Sequence, residues 1–226
     1  MKKFMSIACV LVPLFFGCVV LETHIANEEN FSRIIPIENK KTFLIFGEKF
    51  VLNQYSLKYI NSPSTTTRAF VGRIETTTRR YIFYENQIPF YTVDIITSER
   101  IIQLNDRLTF TVDPNMFIRI SNDSGLRQEF TIDLEGTSSY VIFNDDTIGE
   151  VNFFSYRSRN KNALASEFEF LTGFEIHINN QEYGILAFYP PASLYLRNGI
   201  EIDSRMAMYI LATYASFLYN EYIRLL

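Results

Sequence analysis

The sequence predicts a mainly β protein, an antiparallel closed barrel of about twelve strands around a hydrophobic C-terminal helix. A β-sandwich or an open meander packed on the helix is the alternative. Three observations lead there. From Thr42 onward apolar residues recur with a period of two, and Asn, Asp, Gly or Pro stand between the runs. The chain holds 21 Phe and 14 Tyr but no Trp, side chains that suit a half-buried pleated surface. The last segment, Asp203 to Leu226, is apolar on every side of a helical period.

The strand-like runs follow one another as hairpins. "RRYIFYE" (79–85) and "IPFYTVDI" (88–95) flank Asn86-Gln87, and "RLTFTVD" (107–113) and "MFIRIS" (116–121) flank Pro114-Asn115. "RQEFTID" (127–133) follows the turn "NDSG". "SYVIFN" (139–144) and "IGEVNFFS" (148–155) flank Asp145-Asp146, and "FEIHI" (174–178) and "YGILAFY" (183–189) flank Asn179-Asn180. Short alternating runs around such turn residues are the hairpin signature. No helical pattern interrupts them before residue 204, which argues against parallel βαβ units. Three of the hairpins share a layout, an internal echo that any meander can also produce.

The final helix is expected over 204–224. Asp203 or Ser204 can cap it by offering a side-chain oxygen to open backbone N–H groups. From Met206 to Tyr219 no formal charge occurs, so no polar stripe is left to face water. That uncharged run is short of the roughly 20 residues a bilayer span needs. A helix apolar all round must be covered all round, which a barrel does and one face of a sandwich does not.

Many short hairpins ending in "YLRNGIEIDSRMAMYILATYASFLYNEY" resemble the tubby-like superfamily, which includes tubby C-terminal domains, phospholipid scramblases and the LURP-one-related proteins. "YVIFNDDTIGEVNFF" is similar to hairpins of the LURP-one branch. The resemblance spans 42–226 and implies a barrel of about twelve strands threaded by the helix. It also implies a surface that contacts phospholipid headgroups through basic residues. The cysteine-rich segment of scramblases has no counterpart here, and no functional residue of the superfamily maps onto a position of this chain.

The start reads as an address. Lys2 and Lys3 precede the uncharged run "FMSIACVLVPLFFG", a charged region followed by a short apolar one. Cys18 follows the small residue Gly17 and resembles the lipidated cysteine of a bacterial lipoprotein signal. Phe15 and Phe16 stand where that signal usually has Leu and a small residue. The expectation is a signal peptide over 1–17, lipidation at Cys18, a polar tether over 18–41, and a single domain over 42–226. The alternatives are ordinary cleavage, giving a soluble periplasmic or secreted protein, and an uncleaved membrane anchor near the minimum spanning length.

Function classes narrow by chemistry. Net charge is −4, a poor basis for binding nucleic acid, which rests on neutralising phosphates. Both cysteines, Cys9 and Cys18, lie in the leader, so the domain has no thiol chemistry. His177 is its sole histidine, too little for a triad or a zinc site. Asp145, Asp146 and Glu150, or Asp133 and Glu135, could offer oxygens to calcium, but turn chemistry accounts for acids at these positions. No cofactor is implied. Arg157, Arg159 and Lys161 alternate, and with Arg79 and Arg80 could form an anion or headgroup patch. The expected function is an exported, lipid-anchored envelope protein, a non-enzymatic binding or structural module. Its partners would be the membrane, through the N-terminal lipid, and a protein or phospholipid. An exported hydrolase using carboxylates is the alternative.

Overall fold

The computed structural model describes residues 25, 28–42, 47–68, 72–105, 108–125, 127–133, 140–159, 169–188 and 191–224. Cys18 and Lys161 lie outside them, as do Glu135 and the signal and anchor expected before residue 25. A 3₁₀ turn (Glu28–Asn30) leads into β1 (Phe31–Pro36), β2 (Glu38–Thr42), β3 (Gly47–Leu52), β4 (Tyr55–Asn61) and β5 (Ser64–Arg68). Long strands follow: β6 (Arg73–Glu85), β7 (Ile88–Asn105) and β8 (Leu108–Ser121). Then come β9 (Arg127–Asp133), β10 (Tyr140–Asp145), β11 (Gly149–Arg159), β12 (Glu169–Ile178), β13 (Gln181–Ala187) and β14 (Ser193–Arg197). Helix α1 (Ser204–Arg224) ends the chain, over the residues the sequence predicts.

The fourteen strands described form one antiparallel sheet in the order β1-β14-β13-β12-β11-β10-β9-β8-β7-β6-β4-β3-β2, with β5 paired to β6 beside β4. The closed twelve-stranded barrel is not what forms; the open meander packed on a helix is. No ladder joins β1 to β2 among the described residues. The reason is connectivity. β1 and β2 are separated by Ile37 alone, so they succeed each other instead of lying side by side. β1 bonds to β14 and β2 bonds to β3, and Ile37 donates its N–H to Ala192 at 2.7 Å. Covalent continuity at the buried Ile37 thus joins the two margins of the sheet. It also corrects the tether: within 18–41, residues 31–41 belong to the sheet, and Ile35 is part of the core.

Turn chemistry sets the hairpins. Asn86-Gln87 and Asn179-Asn180 have positive φ at both residues (47° and 70°, 50° and 66°), as a two-residue primed turn requires. Pro114-Asn115 does not turn the chain. β8 runs through it, and the register against β7 slips between Ser98 and Arg100, so the ladder carries a bulge where Pro has no N–H to donate.

Alternation puts one apolar row inside. Phe50, Leu57, Phe83, Ile95, Ile118, Phe143, Phe153, Phe174, Leu186 and Leu194 form one core with α1, whose residues 206–217 are all buried. Burying each of Met206, Ile210, Leu211 and Phe217 stabilises the fold by about 1.5–3 kcal/mol. Asp203 caps the helix: Met206 donates its N–H to Asp203 Oδ1 at 2.8 Å. Aromatic rings set its depth, with Tyr209 stacked on Phe143 at 4.3 Å and Phe217 on Phe188 at 3.7 Å.

Candidate functional site

Polar groups gather at both ends of α1. At the N-terminal end Asp145 closes the β10–β11 turn, its Oδ1 accepting the N–H groups of Thr147 (2.7 Å) and Ile148 (3.0 Å). Arg205 donates to both carboxylate oxygens at 2.7 and 2.8 Å, and the Tyr209 hydroxyl donates to Oδ2 at 2.6 Å. The Asp145 side chain is 2% exposed. Burial alone would raise its carboxyl, but the Tyr209 hydroxyl, the two backbone N–H groups and Arg205 outweigh it and hold the group below the usual carboxylate range. Burial, then the bond to Asp145, push the Tyr209 phenol far up. The two acids beside it do not converge into a cation site: Asp146 is exposed, and Glu150 accepts from Asn152 at 2.6 Å. Among the described residues no three metal-ligating side chains cluster.

At the C-terminal end, Arg79 from β6 lies over the rings of Tyr219 (4.6 Å) and Tyr59 (5.4 Å), with Glu48 at 3.8 Å. Tyr219 and Thr97 oxygens are 3.5 Å apart. Burial raises the Tyr81 phenol, whose oxygen is enclosed without a hydrogen-bond partner among the described residues.

The outer face divides in two. On β6–β9 the ladders place Arg80 opposite Asp94, Asp94 opposite Arg119, and Arg119 opposite Glu129. Arg80 grips Asp94 with two bonds (2.8 and 3.0 Å), and Arg119 donates to Glu129 at 2.6 Å. Alternating signs on neighbouring strands stabilise the pairing. On β10–β14 and β1 the corresponding row reads Tyr140, Phe154, Glu175, Ile185, Tyr195, Ile34. Phe154 is 43% and Ile34 49% exposed. Ile185 and Ala187 are covered from outside by Ile25, with Phe31, Tyr156 and Tyr195 around them. Here the chain's first described residue lies against the exterior of the sheet.

The basic residues singled out in the sequence are spread by this arrangement. Arg79 and Arg80 are neighbours on β6 and, by alternation, face opposite sides, Arg79 toward the helix end and Arg80 outward. Arg157 and Arg159 are on β11, five ladder steps from β6. His177 lies on the outer face, edge-on to Phe154 at 5.5 Å and 3.5 Å from Glu175. The Asp145–Arg205–Tyr209 cluster escapes sequence reasoning, because 60 positions separate the carboxylate from the guanidinium and no local pattern joins them. An arginine just inside a cap, ahead of the uncharged run from Met206 to Tyr219, is the one signal that it needs a partner.

No family model matches the chain, and neither a curated protein nor a solved structure is similar to it. Among the described residues no helix is long and apolar enough to cross a membrane.

Proposed function

We propose that this is an exported envelope protein, lipid-anchored at Cys18, whose domain works as a non-enzymatic binding or structural module. The observation that carries this reading is the state of the buried carboxylates: Asp94 faces Arg80, and Asp145 faces Arg205. Acid–base catalysis needs a carboxyl group that can exchange a proton with substrate. A carboxylate saturated by a guanidinium and backbone N–H groups serves the fold instead, which is why the hydrolase alternative gains no support. With the interior occupied by α1, recognition falls to the outer surface.

The kinship to the tubby-like superfamily belongs to the same proposal. A helix enveloped by an antiparallel meander supports it. Fourteen described strands and an open ladder depart from it. Headgroup contact through basic residues would have to be made locally, by Arg79 at the helix end or by Arg157 and Arg159 on β11. Labelling with a radioactive fatty acid, followed by fractionation, tests the anchor. The native chain is expected to take up label and sediment with membranes, and Cys18→Ser to lose both. Label retained by Cys18→Ser would overturn lipidation at that residue.

A further inference from the structure

We infer that the outer face running from β11 through β14 to β1 is a docking surface for the lipid bilayer itself. This rests on the anchoring proposed above and adds an orientation to it. The starting observation is Ile25, which packs onto Ile185 and Ala187 on the exterior of β13. Only seven peptide steps separate it from Cys18. Fully extended, they reach about 25 Å at most. Neighbouring strands lie about 4.8 Å apart, so the six ladder steps from β13 to β7 cover roughly 29 Å over the surface. A chain held at Cys18 therefore keeps the β11–β1 face beside the membrane and leaves β7, six steps away, beyond the tether's reach.

The face so placed has the right chemistry. Phe154 and Ile34 project from it, 43% and 49% exposed, with the rings of Tyr140 and Tyr195 in the same row. Amphipathic aromatic rings favour the headgroup boundary. Two exposed apolar side chains would partition weakly on their own. A short tether turns that into an intramolecular event at millimolar effective concentration. Glu175 is the one acid in the row, and His177 stands 3.5 Å from it.

The absence of native tryptophan makes the orientation measurable. Two single-tryptophan proteins, Phe154→Trp on β11 and Phe90→Trp on β7, start from comparable exposure, 43% and 46%. Each full-length, acylated chain is reconstituted into vesicles of phosphatidylethanolamine and phosphatidylglycerol containing brominated acyl chains. Flotation reports the anchor, and bromine quenching reports the face. The expected result is flotation of both, with the Phe154→Trp emission shifted to the blue and quenched at least twofold more than that of Phe90→Trp. Flotation with equal quenching of the two overturns the docking and leaves the anchor standing. A blue shift without quenching, accompanied by dimers in detergent, assigns the face to a second copy and also overturns it. Failure to float removes the anchoring reading, and the orientation falls with it.

Discussion

The two ends of the buried helix are held by opposite means. At the N-terminal end Asp145 is out of water, and its bonds from Arg205, Tyr209, Thr147 and Ile148 run from 2.6 to 3.0 Å. At the C-terminal end Arg79 lies over two tyrosine rings, its carboxylate partner at 3.8 Å. The first arrangement fixes a position; the second tolerates movement. The Asp145 side chain, 2% exposed, depends wholly on those partners, whereas Arg79, 25% exposed, keeps part of its water. The helix is thus pinned where it enters the sheet and cushioned where it leaves.

Four substitutions probe that asymmetry, in descending order of effect. Ala212→Asp places a carboxylate midway along the helix, at a fully buried position. It is expected to abolish the cooperative thermal transition followed by circular dichroism; a native-like melt would show that the helix is not enclosed. Asp145→Asn should cost about 3 kcal/mol in urea unfolding at pH 7, since Tyr209 and the turn N–H groups lose a charged acceptor while Arg205, 36% exposed, regains water. The Asp145 carboxyl is lowered in the folded state, so its contribution is present above the unfolded value of about 3.9 and disappears as pH falls through the folded value. The gap between native and Asp145→Asn curves should therefore close in acid, below about pH 4. Tyr209→Phe keeps the ring stack on Phe143 and removes one bond to the carboxylate, about 1.5–3 kcal/mol by the same titration. Arg79→Ala should cost about 1–2 kcal/mol, the range for a cation–π contact only partly open to water. If Arg79→Ala proved as damaging as Asp145→Asn, the two ends would be equivalent.

What could be read from the sequence is what nearby residues decide. The helix bounds, the buried 206–217 run and the turns at Asn86-Gln87 and Asn179-Asn180 all follow from local pattern. Pro114-Asn115 misleads because Pro fits a bulge as well as a turn, and only the slip of β7 against β8 distinguishes them. The stretch 31–41 reads as part of a tether because Glu38, Lys40 and Lys41 hide two successive strands that bond to different neighbours. The helix-end polar clusters and the outer charge row arise from residues far apart in the chain, whose meeting depends on register, which one sequence does not display.

The seam at Ile37 has a further consequence. Pairing β1 with β14 requires Phe31, at the start of the sheet, to meet Arg197, 166 positions later. A pairing so distant in the chain raises the contact order, which slows folding. Without β1 and β2 the outer sides of β14 and β3 would both stand bare. One short stretch thus guards two edges against strand-to-strand aggregation.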